Sequence, residues 1–287
     1  MNDRKLHKHV FNHILFDVAD RVGRITLNDP ARMNAITHGP GSMKDEIVAA
    51  LEIADADENI HCVIVTGAGN VFSSGGDLAS GHPEGSVLDS FNFLDGASQA
   101  NDKIRALRKP TIGAINGICY GAGLIFAMHL DLLVAVEDAR FGMIETRFGG
   151  CGVELLPFFI GTQWAKFLAL SGEIITAKKA KEIGLILEVL TRDTFDHKVN
   201  DLARRVAAMP RHGVMLNRRL LNEVSTMAGW NTTQKELATA TNAIIMSLHD
   251  EARAVDGRLL FEILAQEGWK AFKEARDKAF KTPWLES

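Results

Sequence analysis

The chain has 287 residues, 46% hydrophobic and 24% charged, with a net charge of −4. That is enough apolar material for one large or two modest globular cores, and the scattered Lys and Arg leave no basic stripe for nucleic acid. The polar start, MNDRKLHKHVFNHILF, holds no apolar run of signal-peptide length, and no stretch approaches the roughly 18 apolar residues of a membrane span, so a soluble cytoplasmic protein is expected.

In chain order, residues 14–18 and 22–27 are rich in β-branched and apolar side chains around Ala19-Asp20-Arg21, the pattern of a hairpin. Asn28-Asp29-Pro30 ends it. Residues 42–56 put Ile47, Ala50, Leu51 and Ala54 on one helical face behind Ser42 as N-cap. Residues 62–66, CVIVT, form a short strand apolar enough to be buried on both faces. The loop after it carries glycines at 67, 69, 75, 76, 81 and 85, and such loops are where α/β proteins place ligands. Residues 87–107 read as a long helix closed by Arg108-Lys109-Pro110. A further β-like run, 110–115, leads through Gly121-Ala122-Gly123 into an apolar helix, and 132–136 is another buried strand. Residues 141–152 form a glycine-rich loop with Glu145 and Arg147.

The later chain changes character. Residues 162–170, 177–183 and 196–208 are helical, with only 185–190 strand-like between them. Beyond Pro210 everything reads as helix, with amphipathic segments at 212–227, 233–248 and 251–265. The expected architecture is therefore α/β over 1–210 and helical over 211–287. Cys62, Cys119 and Cys151 sit in apolar or glycine-rich surroundings without metal-ligand spacing, which suits buried free thiols and no metal. Arg218-Arg219 reads as a solvated helix face.

Two turns of small residues stand out, Gly121-Ala122-Gly123 and the VFSSGGDL stretch at 71–78. Each follows a strand and precedes a helix, so a ligand can approach the backbone closely there. Two such turns can aim two backbone N–H groups at one carbonyl oxygen, as chemistry through an enolate or tetrahedral adduct requires.

Six ordered segments resemble the crotonase (enoyl-CoA hydratase/isomerase) superfamily: LNDPARMNAI (27–36), VIVTGAGNVFSSGGDL (63–78), KPTIGAINGICYGAGLIFAMHLDLLVA (109–135), ARFGMIETRFG (139–149), LSGEIITAKKAKEIGLILEV (170–189) and EGWKAFKEAR (267–276). The resemblance implies an α/β, crotonase-like ββα spiral core over 1–210. It also implies a C-terminal helical region, 211–287, that serves trimerisation and covers the acyl-CoA site. The oxyanion-hole donors then fall on the N–H groups of Gly76 and Ala122. Acyl-CoA contacts fall on Arg32, Ala35, Ser74, Gly75, Asp77, Leu78 and Arg276, with the Ser73–Gly75 backbone beside adenine and pantetheine. By position alone, Arg32 and Arg276 are equally readable as surface charges, and Asp77 as a helix cap.

Hydratases of this family use two glutamates. The first position is Ile125 here, which can move no proton, while the second is retained as Glu145. Buried beside a thioester, Glu145 can serve as acid and base in turn; the plainer reading is an ion pair with Arg147. Glu154, nine residues on, is either a partner carboxylate, as in dienoyl-CoA isomerases and β-diketone hydrolases, or a helix N-terminal charge. His129 reads as a packed core histidine, and His82 as a weak candidate for substrate contact.

The resemblance implies an enoyl-CoA hydratase/isomerase that needs no metal or redox cofactor, with coenzyme A as part of the substrate. Dienoyl isomerisation or C–C cleavage by Glu145 with Glu154 is a second option. A catalytically weak acyl-CoA-binding paralogue is the reading from another class. The apolar faces at Leu220, Leu221 and Val224 and at Leu259, Leu260 and Ile263 exceed what one helical layer buries, and the family implies a homotrimer or hexamer.

Overall fold

The computed structural model describes residues 11–78, 86–150, 152–248 and 251–285. Strands β1 (Ile14–Ala19) and β2 (Val22–Leu27) pair antiparallel across a turn in which Asp20 and Arg21 both have positive φ, 51° and 64°. That turn type carries the right twist for a hairpin. Helix α1 (Met43–Ala56) starts at Ser42, whose Oγ accepts the Asp45 N–H at 3.2 Å.

The chain then repeats one pattern three times: a strand on a large sheet, a three-residue strand on a small sheet, then a helix. The first pass is β3 (Cys62–Gly67), β4 (Val71–Ser73) and α2 (Val87–Ala106). The second is β5 (Thr111–Ile115), β6 (Ile118–Tyr120) and α3 (Gly121–Ala127). The third is β7 (Leu132–Val136), β8 (Arg140–Gly142), a 3-10 turn over Ile144–Phe148, and α4 (Leu156–Ser171). The chain goes on through β9 (Ile174–Thr176), α5 (Ala177–Glu182), β10 (Glu188–Leu190) and α6 (Phe195–Ala208).

The large sheet has the order β1-β2-β3-β5-β7-β10, and it is parallel from β2 onwards. Every residue of β3 and β5 is buried, as the continuous apolar runs predict for strands covered on both faces. The small sheet, β4-β6-β8-β9, was not foreseen. Three-residue strands are too short to show an alternation in sequence. Two fully or nearly buried asparagines hold the crossing between the sheets. Asn34 donates to the carbonyls of Ala68 (3.1 Å) and Val71 (2.8 Å), and Asn116 to those of Gly67 and Gly69 (2.8 Å each).

The C-terminal region is helical with one correction. Helix α7 (Arg211–Met227) is followed by a π-helical stretch, Thr232–Ala238, that runs on into α8 (Thr239–Ser247). The helix expected over 251–265 starts only at Leu260, as α9 (Leu260–Asp277). Before it the chain turns back on itself: Ala254 N–H bonds to Arg258 C=O at 2.8 Å, and Gly257 takes φ +88°. A left-handed glycine overrides the helical spacing there.

Two further expectations change. Arg218 is buried rather than solvated. It pairs with Asp131 at 2.8 Å and donates to the Ile104, Arg105 and Leu107 carbonyls at the end of α2. Leu260 and Ile263 are buried against Phe148 and Phe272 of the same chain, so of those two faces it is the α7 one (Leu216, Leu220, Leu221, Val224) that stays exposed. Among the described residues no helix is long and apolar enough to cross a membrane.

Candidate active site

Three turns meet where the parallel strands of the small sheet end. Ser73 lies beside Cys119, and Tyr120 beside Gly142, so the turns after β4, β6 and β8 become neighbours. The first presents Gly75-Gly76, the second Gly121-Ala122 and the third Glu145. The 27–36 segment aims the first turn. Ile36 donates its N–H to Gly75 C=O (2.8 Å) and accepts the Asp77 N–H (3.1 Å). The Gly76 N–H between them points towards Glu145.

The Glu145 carboxylate is held by one of these turns. Ala122, in the first turn of α3, gives its N–H to Oε1 at 2.9 Å. Gly121 has φ +44°, and a Cβ there would lie 1.4 Å from the same oxygen. The close approach therefore demands glycine. Oε2 is buried with no hydrogen-bond partner among the described residues. Burial pushes the Glu145 carboxyl above the ordinary carboxylate range, while the N–H groups of Ala122, Glu145 itself and Gly76, together with the Arg276 charge, pull it back. A buried, half-satisfied carboxylate of this kind is costly and is characteristic of proton-transfer sites. Arg147 does not pair with it; it binds Asp277 at 2.9 Å.

Around the carboxylate lies a cavity of about 1110 Å³. Arg32, Ala35, Ser74, Gly76, Asp77, Leu78, Ala122, Glu145, Glu154 and Arg276 all line it. Gly75 stands behind the wall: its N–H bonds to Ser73 Oγ at 3.2 Å, and its missing Cβ leaves room for Glu145 Oε1. At the solvent side Arg32 pairs with Asp29 (3.2 Å) and Asp77 (2.9 Å). Arg276 and Arg147, both buried, share the single carboxylate of Asp277, so positive charge is in excess there. Despite its burial, Asp277 is held below the usual carboxylate range by these two guanidinium groups.

Ile125 also lines the cavity and packs on Gly152, where a Cβ would come within 2.3 Å of its Cδ1. Glu154 accepts a 3.4 Å hydrogen bond from Asn242, and burial raises its pKa. His129 is in the core, its Nδ1 2.8 Å from Ile125 C=O and its Nε2 3.1 Å from Gln234 Nε2. Cys62 and Cys119 are buried free thiols, whereas His82 and Cys151 lie outside the described residues. Among the described residues no three His, Cys, Asp or Glu side chains gather as metal ligands would.

Sequence reading missed the far wall of the cavity. Lys44, Ser98 and Asn101 line it, and all three are buried. The signal was present: Lys44 precedes Ile47 by three residues and Leu51 by seven, which puts an ammonium on the apolar stripe of α1.

A model of the enoyl-CoA hydratase/isomerase family matches residues 17–283. The chain belongs to that family, within the crotonase superfamily. It is 32% identical over 257 residues to the putative enoyl-CoA hydratase EchA13 of Mycobacterium tuberculosis, covering 80% of this chain and 79% of that protein. It is likewise 32% identical over 220 residues to the 1,2-epoxyphenylacetyl-CoA isomerase of Escherichia coli, covering 74% of this chain and 83% of the relative. An enoyl-CoA hydratase/isomerase from Xanthobacter autotrophicus Py2, known as a crystal structure, superposes with a TM-score of 0.85 at 33% identity, covering 95% of this chain and 100% of that one.

Proposed function

We propose that the protein isomerises or hydrates an enoyl-CoA thioester, with the Gly76 and Ala122 N–H groups as the oxyanion hole and Glu145 as the proton-transfer group. The observation that supports this reading is the 2.9 Å bond from Ala122 N–H to the buried Glu145 carboxylate, a carboxylate beside a backbone donor. In the isomerisation of a 3-enoyl thioester, Glu145 takes a proton from C2 and the negative charge moves to the thioester oxygen. The two N–H groups stabilise that charge, and protonated Glu145 returns the proton to C4. The thioester oxygen competes with Oε1 for Ala122 N–H. Its arrival removes a donor that lowers the Glu145 pKa and so makes the carboxylate a stronger base. One carboxylate suffices for this transfer, and it tolerates an isoleucine at position 125. The chemistry draws on backbone donors and a carboxylate, without metal or redox cofactor, and coenzyme A enters as part of the substrate. Arg32 and Arg276, with the backbone of Ser74 and Gly75, are the proposed coenzyme A contacts.

The second reading is hydration, dienoyl isomerisation or C–C cleavage by two carboxylates. It is favoured by Glu154, which lines the same cavity and whose pKa is likewise raised by burial. Glu154→Gln separates the two. Under the one-carboxylate mechanism its turnover of 3-enoyl-CoA stays within about tenfold of wild type, whereas loss of a general acid or base costs on the order of 10²-fold or more. Equal turnover of crotonyl-, 3-enoyl- and feruloyl-CoA by wild type and Glu145→Ala would remove the catalytic role from Glu145, and binding without turnover of any of them by wild type would support the binding paralogue.

The exposed α7 face is proposed as a subunit contact in a homotrimer or hexamer. Light scattering is expected to give a mass several times the 31.4 kDa chain, and a monomer at micromolar concentration rules the assembly out.

A further inference from the structure

We propose that the acyl end of the cavity is built for a thioester whose chain ends in a carboxylate, received by Lys44 and Ser98. This inference rests on the cavity being the acyl-CoA site.

Lys44 is only 4% exposed and lines the cavity, yet among the described residues no carboxylate lies within ion-pair distance of its ammonium. Its one hydrogen bond goes to the neutral Asn101 Oδ1, and its Nζ lies 4.7 Å over the Phe126 ring. An ammonium has three donors, so these contacts leave it short of a counter-charge. Burying such a cation without an anionic partner is costly. One turn before Asn101 on α2, and so on the same helix face, Ser98 is 8% exposed and its Oγ has no hydrogen-bond partner among the described residues. Both residues line the cavity, so a carboxylate arriving at this wall would meet the Lys44 ammonium, with Ser98 Oγ, one turn from Asn101, able to turn towards it.

His38, another wall residue of this end, does not supply the charge. Burial, then the nearby Lys44, lower its pKa to about 4, so it is neutral at physiological pH. Burial lowers Lys44 itself to about 7, and an arriving carboxylate favours its charged form. The position also suits an acyl terminus. Phe126 is four residues beyond Ala122 on α3, a rise of about 6 Å, which a chain of about six carbons spans from the oxyanion donors.

The test uses saturated thioesters, which have no double bond to isomerise or hydrate, so binding is read apart from the reaction. Glutaryl-, adipyl- and pimeloyl-CoA are titrated calorimetrically against the wild-type protein, beside the chain-matched pentanoyl-, hexanoyl- and heptanoyl-CoA and their ω-hydroxy analogues. The ω-carboxyl series is expected to bind about tenfold tighter or better than either uncharged series, as a charge-assisted hydrogen bond allows. The preference is expected to vanish in Lys44→Met and to weaken in Ser98→Ala. Equal or weaker binding of the carboxylates to wild type overturns the proposal, whatever the variants do. So does equal binding of the ω-hydroxy series, or a preference that survives in folded Lys44→Met. If no thioester of any series binds, the acyl-CoA reading itself falls, a result distinct from uniform binding.

Discussion

Glu145→Gln is expected to lower kcat on an enoyl-CoA substrate by about 10³-fold, within the range typical of a lost general acid–base group. Glutamine keeps the volume and can still accept the Ala122 N–H, so the loss reports proton transfer rather than collapse of the turn. Stability should move the other way. A carboxyl whose folded pKa is raised above its ordinary 4.5 contributes stability that is complete below 4.5 and is lost as pH rises through the folded value. Glutamine carries no such penalty. The urea stability of Glu145→Gln relative to wild type is therefore expected to improve from pH 4.5 to pH 7.5. A variant that is inactive and equally destabilised at both pH values would point to a packing role for Glu145.

Gly121→Ala is expected to lower kcat by about 10²-fold or more, because it strikes the oxyanion hole and the base together. The new Cβ would fall 1.4 Å from Oε1, 1.7 Å from Cδ and 1.8 Å from Oε2 of Glu145, so the carboxylate must leave its place. The positive φ of 44° adds a backbone cost of about 1–2 kcal/mol for an L-residue. Gly96→Ala is the control. It lies within α2 with open space where its Cβ would go, and alanine there should stabilise by about 1 kcal/mol and leave kcat unchanged. Gly121→Ala retaining more than a third of wild-type kcat would mean that Glu145 works from another position.

Much of this site was legible in sequence. The glycines at 75, 76 and 121, Ala122 and Glu145 fall in turns that the resemblance aligned, and the backbone chemistry there depends on small residues in order along the chain. Other features were legible only in part. The 251–265 segment has helical spacing, but Gly257 takes a left-handed conformation that spacing does not reveal. Arg218 stands next to Arg219 in sequence, and only packing distinguishes the buried cap of α2 from its exposed neighbour.

The sequence by itself determined the buried strands, the capped helices, the family and the presence of Glu145 together with an isoleucine at position 125. These are properties of local pattern and of ordered motifs. Only the tertiary structure decided that three-residue strands form a second sheet whose ends bring Gly76, Ala122 and Glu145 together, because that sheet joins segments far apart in the chain by too few residues to leave a periodic signal. It likewise decided that Lys44, an ordinary charge on paper, stands in the wall of the cavity with no counter-ion among the described residues. Whether a charge is solvated, paired or buried depends on what packs against it from elsewhere in the chain.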